Sequence, residues 1–243
     1  MENIKVLCLH GIGGKDSSIK KPHWQNHWRD AFEKINFAKK DNVQFMDFDK
    51  FFKTTNADWR DYLHFFTKTF RERPILKGMF KDFMDNYPDM VVEFLLEDKL
   101  RNDLKGELKR NIEKVLPDVI YAHSLGSLIC YDFFTDSANN HYQNITLVTS
   151  GSQLGNPHLR NHELQFPIVE LPIKFWYNLN NPKDAVFASH PIKPISHNQF
   201  KEITTEFSQS LINHNELEYI NAEKAKNEVW NIIKKEILTT KSK

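Results

Sequence analysis

Glycine is scarce in this chain, with eight among 243 residues. Each one therefore marks a place where the backbone has reason to turn tightly or to approach something closely. Cysteine is scarcer still. Cys8 and Cys130 both sit inside apolar runs, and two thiols can build neither a disulfide framework nor a four-cysteine metal site, so a reducing, cytoplasmic setting is expected. An excess of one charge is also missing. Thirty-three Lys and Arg face thirty-two Asp and Glu, which removes the electrostatic basis for a dedicated nucleic-acid binder. Long hydrophobic runs are absent: none approaches the roughly 20 apolar residues of a transmembrane helix. The opening MENIKVLCLHG lacks the basic start, long apolar segment and small-residue cleavage site of a secretory signal.

What the chain does have is 40% hydrophobic and 27% charged residues, the balance of a folded globular protein, in a length sufficient for one large core. Short runs rich in branched residues appear at 4–9 (IKVLCL), 43–48 (VQFMDF), 119–122 (VIYA), 145–150 (ITLVTS) and 172–177 (PIKFWY). Their four-to-eight-residue length is that of strands buried on both faces. A weaker alternating run, 202–207 (EITTEF), reads as an edge strand. Helical patterns fall between them at about 23–36, 89–115, 125–138 and 221–238. The alternation predicts an α/β fold, with a mostly parallel sheet and helices on both faces.

One stretch breaks the alternation. Residues 51–115 contain no convincing strand, yet Phe51, Phe52, Phe65, Phe66, Phe70, Phe80, Phe83 and Phe94 all fall there, out of nineteen phenylalanines in the chain. A structureless connection of that length is rare, so a helical insertion within a single domain, 1–243, is expected. Its aromatics suit either a cap with an apolar surface or a core of their own.

The most informative segment is VIYAHSLGSLICYDFF, 119–134. A buried strand ends at Ala122-His123-Ser124-Leu125-Gly126, and an apolar-periodic helix follows at once. A strand turning this sharply needs small residues two positions either side of its tip, and Ala122 and Gly126 supply them. The segment resembles the nucleophile elbow of the α/β-hydrolase superfamily, G-x-S-x-G, with alanine in the first glycine position. The Leu125 amide then lies at a helix N-terminus, where an oxyanion can be stabilised.

The first strand runs into His10-Gly11-Ile12-Gly13-Gly14, and three glycines in four positions permit close backbone approach. In the superfamily it resembles, a His-Gly sequence here supplies the second oxyanion amide, which falls on Ile12. A phosphate-binding loop is excluded because Leu9 and Asp16 stand where glycine and serine or threonine are required. A dinucleotide fingerprint fails because Asp16 stands where its third glycine belongs.

The resemblance implies that the acid and the histidine follow the serine in chain order. FWYNLNNPKDAV resembles the superfamily's acid loop and points to Asp184, with Glu170 and Glu163 as weaker alternatives. Three histidines lie downstream. His190 is too close to Asp184 to sit on a separate loop. His214, in LINHNELEY between the last strand and the last helix, is favoured over His197, and the nearby Tyr219 also looks like this group of hydrolases.

The pairs His23/His27 and His158/His162 have i, i+4 spacing but lack the adjacent glutamate of a metalloprotease helix, so no metal site is expected. His123 need not be catalytic. The resemblance implies a serine esterase or lipase-like enzyme that acts on a small-molecule ester or thioester through an acyl-enzyme on Ser124, without metal or organic cofactor. A serine peptidase or amidase uses the same machinery, and a non-catalytic binding protein on the same scaffold is the third option. Gly151 and Gly155, beyond the run 145–150, are expected on the same rim as the other glycines.

Overall fold

The computed structural model describes residues 3–11, 23–52, 89–139, 141–156, 164, 167–184, 190–194, 196, 198–208 and 214–241. Six strands form one sheet: β1 (Val6–Leu9), β2 (Val43–Met46), β3 (Val119–His123), β4 (Thr146–Ser150), β5 (Phe175–Asn180) and β6 (Phe200–Thr204). Their order across the sheet is β2-β1-β3-β4-β5-β6, and every neighbouring pair is parallel. The alternation of side chains along each strand sends Leu7, Leu9, Ile120, Ala122 and Leu147 into one core. Val6, Cys8, Val119, Tyr121 and Val148 enter the other. Burial on both faces is why β1 and β3 read as unbroken apolar runs.

The first core is closed by α2 (Asp89–Leu96), α3 (Asp98–Val115) and α4 (Leu125–Thr135), which contribute Phe94, Leu104, Leu108, Leu128 and Phe133. The second is closed by α1 (His23–Lys34), α5 (Glu216–Asn221) and α6 (223–241), which is wound as a π-helix over Lys226–Trp230. Trp28, Phe32, Tyr121 and Trp230 meet edge-on there with ring centroids 5.1–5.8 Å apart, an aromatic geometry that adds to the area buried.

The expected parallel sheet with helices on both faces is present, and so is a helical insertion: of the aromatic stretch, residues 89–115 form α2 and α3. Phe94 is fully buried in the sheet's own core, and Phe51 and Phe52 pack partly buried against it. These three therefore serve the main core. Phe65, Phe66, Phe70, Phe80 and Phe83 lie outside the described residues.

β1 and β2 are each two residues shorter than the runs read at 4–9 and 43–48, and the edge strand read at 202–207 lies at 200–204, while β5 shifts as a whole. The run read at 172–177 is a strand at 175–180, because Pro172 has no N–H to donate and the ladder begins with Lys174 N bonded to Ile145 O at 2.9 Å. It continues through Asn178 and Asn180, both buried, whose polarity disguised them. Asn178 is met across the sheet: Trp176 Nε1 donates to Thr149 Oγ1 (2.9 Å), Thr149 Oγ1 to Asn178 Oδ1 (2.7 Å), and Asn178 Nδ2 to Glu202 Oε2 (3.1 Å). Burial pushes the Glu202 carboxyl up to about 7. Because all six strands are parallel, their carboxyl ends share one rim. In an open α/β sheet, that rim is where ligands bind.

Candidate active site

The tip of β3 holds a residue outside ordinary backbone geometry. Ser124 has φ 52° and ψ −122°, outside the left-handed helical region that a non-glycine residue tolerates. Leu116, also at positive φ, has ψ 61° and ends α3 as an ordinary left-handed cap bonded to Ile112 O. Strain of the Ser124 kind costs about 1–3 kcal/mol and persists only where the surroundings enforce it. Here they do. Ser124 N completes the ladder to Ser150 O at 2.9 Å, while its carbonyl accepts Ser127 N at 2.9 Å and the Ser127 hydroxyl at 2.5 Å.

The small residues around this tip are sterically required. A Cβ on Gly126 would lie 2.8 Å from both the His10 and Leu9 carbonyl oxygens. A Cβ on Gly11 would lie 2.7 Å from Ser124 Cβ and 3.3 Å from its Oγ. The end of β1 thus passes directly over the serine. His10 is held beside it, stacked on Phe48 at 4.2 Å and edge-on to Trp24 at 4.8 Å, with Nδ1 bonded to Gly11 O. Leu125, the first residue of α4, is fully buried. Ile12, Gly13 and Gly14 lie outside the described residues.

Asp184 and His214 are brought together from separate loops. Asp184, 1% exposed, follows β5 in a turn closed by its own N–H to Asn181 O and by Lys183 N to Asn181 Oδ1. Its Oδ2 accepts from His214 Nδ1 at 2.7 Å and from the Tyr219 hydroxyl at 2.7 Å. Burial, together with the Asp184 charge, pushes the Tyr219 phenol far up, so it remains a donor. His214 is fixed one residue before Asn215, whose side chain caps α5 by accepting Leu217 N at 2.9 Å and Glu218 N at 3.4 Å. With Nδ1 committed to Asp184, Nε2 is the free acceptor. It is buried and makes no hydrogen bond among the described residues.

His214 lies against the serine turn through His123, the residue before Ser124, with ring centroids 4.6 Å apart. Gly151, at φ 53°, makes room for both rings, since a Cβ there would stand 2.8 Å from His214 and 2.9 Å from His123. Burial, reinforced by the neighbouring His214, pushes His123 well below the usual histidine range, so it stays neutral. It is bonded to Ser150 Oγ at 3.0 Å, which in turn meets the Tyr121 hydroxyl at 2.8 Å.

One contact had no signal in the sequence. Ser124 Oγ accepts a hydrogen bond from Gln153 Nε2 at 3.1 Å, rather than bonding to His214. Gln153 opens the short turn Gln153–Gly155 just past β4, and no motif announces a glutamine in that position. The nearest clue was the pair of glycines around it.

Glu170 accepts Gln199 N with its Oε1, away from this cluster, and Glu163 and His197 lie outside the described residues. Among the described residues, no group of three or more His, Cys, Asp or Glu is arranged to hold a metal ion, and no helix is long and apolar enough to cross a membrane. His27 is exposed on α1, while His158 and His162 fall outside the described residues. No protein-family model and no curated protein matches the chain.

Proposed function

We propose that the chain is a serine hydrolase of the α/β-hydrolase type, cleaving a carboxylic ester or thioester through an acyl-enzyme on Ser124. The observation that carries this reading is the conformation of Ser124. A non-glycine residue is held at φ 52°, ψ −122° between a buried strand and a helix, on the same rim as a buried Asp184–His214 pair. The sheet order supports it as well, because the serine strand lies inside the sheet with parallel neighbours on both sides.

In this reading His214 Nε2 takes the Ser124 proton as Oγ attacks the acyl carbon, and returns it to the leaving group. Asp184 holds the tautomer and stabilises the imidazolium, with Tyr219 holding Asp184. The oxyanion is met by the Leu125 N–H at the start of α4 and by the Ile12 N–H. Water then attacks the acyl-enzyme with His214 again as base.

A fluorophosphonate probe tests the nucleophile. Labelling of the wild-type chain and none of Ser124→Ala is the expected result. A folded wild-type chain that takes no label defeats the proposal and leaves a binding protein on this scaffold. Hydrolysis of a p-nitrophenyl ester series by His214→Ala and by His197→Ala then assigns the base, with only the former expected to lose activity.

A further inference from the structure

Two buried polar atoms beside the serine turn make no hydrogen bond among the described residues: His214 Nε2 and Gln153 Oε1. The first is accounted for as the base. The second is not. A buried acceptor left unmet costs about 1–3 kcal/mol, and this one belongs to the side chain that also bonds the serine hydroxyl.

Gln153 is not loosely placed. It is 4% exposed, and its turn is fastened to the serine turn by a chain of hydroxyls. Ser127 Oγ bonds Ser152 Oγ at 2.8 Å, and Ser152 Oγ accepts Leu154 N at 3.4 Å while Ser127 also meets Ser124 O. The Asn156 N–H closes the turn on Gln153 O at 2.8 Å. The side chain thus has its Nε2 on Ser124 Oγ, and the two ends of a primary amide are only about 2.3 Å apart. Gln153 Oε1 therefore stands within about 5.5 Å of the attacking oxygen.

We infer that Gln153 is a specificity residue whose free carbonyl accepts a hydrogen bond from the substrate, so that the preferred acyl group carries a hydroxyl or amino donor next to the scissile carbonyl. This rests on the hydrolase reading above. The leaving group is already met by His214, which must reach its leaving atom to return the proton. The unmet acceptor is therefore assigned to the acyl half, the half that stays on Ser124 after the first step. A donor on the carbon beside the carbonyl lies within the same few ångströms of Oγ. An unsubstituted acyl chain would leave Oε1 buried and unmet, and a site of this kind discriminates against the analogue that lacks the donor.

The test compares p-nitrophenyl butyrate, 2-hydroxybutyrate and 2-methoxybutyrate on the wild-type chain and on Gln153→Leu. Dividing the wild-type ratio of two esters by the variant's ratio cancels their intrinsic reactivity. The hydroxy-to-unsubstituted ratio of kcat/KM is expected to be at least about tenfold larger in the wild type than in Gln153→Leu. The methoxy ester, which can only accept, is expected to gain nothing over butyrate from Gln153. Equal ratios in the two proteins overturn the inference, and so does a methoxy ester favoured as strongly as the hydroxy ester, which would mean that the amide presents a donor. Should Gln153→Leu fail to fold, Gln153→Met and the wild-type comparison of hydroxy with methoxy decide the matter. If all three esters are hydrolysed alike in a Ser124-dependent way, this inference alone falls. If none is hydrolysed and Ser124 takes no fluorophosphonate, the hydrolase reading falls with it.

Discussion

Tyr219 donates its hydroxyl to Asp184 Oδ2 at 2.7 Å, the same oxygen that accepts from His214. The buried carboxylate is thus oriented from two directions, once by the histidine and once by a phenol that has no other titration state within reach. Replacing Tyr219 by Phe keeps the ring and its packing on Phe207 but removes that second restraint. Stability is expected to fall by about 1.5–3 kcal/mol, the range for a hydrogen bond to a charged group. Ester hydrolysis should lose about tenfold in kcat, equivalent to about 1.4 kcal/mol, with KM little changed. Chemical denaturation and steady-state kinetics on the same variant check both parts.

The strain at Ser124 gives a comparison that needs no substrate. Alanine at this position keeps a Cβ in an unfavourable backbone region, whereas glycine does not. Ser124→Gly is expected to be more stable than Ser124→Ala by about 1–2 kcal/mol, although an ordinary site would rank them the other way. Equal or reversed midpoints in urea would show that the turn carries no strain.

Two glycines should respond oppositely to a methyl group. Gly126→Ala drives a Cβ against the backbone oxygens of Leu9 and His10, which cannot rotate away, and is expected to destabilise by about 2 kcal/mol or more. Gly106 lies inside α3, and a Cβ there meets only the Arg110 guanidinium at 3.6 Å. Gly106→Ala should therefore stabilise by about 0.5–1 kcal/mol through helix propensity. Thermal melts of the two variants distinguish them by sign.

Glu202 makes stability depend on pH. Its carboxyl rises from an ordinary 4.5 to about 7 in the folded state, so the folded chain binds more protons than the unfolded chain between those values. The contribution of this group is therefore most favourable below about pH 4.5, declines as pH rises, and levels off above about 7. Glu202→Gln keeps an acceptor for Asn178 and removes the decline. The variant should match the wild type near pH 4.5 and exceed it at pH 8 by up to about 3 kcal/mol, measured by urea unfolding at both values.

The sequence made β1, β3 and the serine turn legible because their physics is local. A doubly buried strand shows as an apolar run, and a sharp turn into a helix shows as small residues around Ser124. The position of His214 was readable from its place between the last strand and the last helix. What escaped was set by contacts across the sheet. Asn178 and Asn180 look like loop residues until Thr149 and Glu202 are seen to satisfy Asn178 from neighbouring strands, and that shifted β5 by three residues. Gln153 escaped for the same reason. Its meaning lies in one hydrogen bond to a residue twenty-nine positions earlier, and no spacing rule encodes that.

The turn Asp49–Phe52 leaves β2 at the same rim as the serine, and α2 packs against that turn as the chain comes back at Asp89. The two points where residues 53–88 join the described fold are therefore neighbours, anchored through Phe51, Phe52 and Met90 to a core that the sheet itself supplies. The sheet places no demand on the length of what is threaded between them. The described fold thus closes on itself at the rim where β3 leads into Ser124, as a purse closes at its mouth, by contacts made between Asp49–Phe52 and Asp89–Leu96.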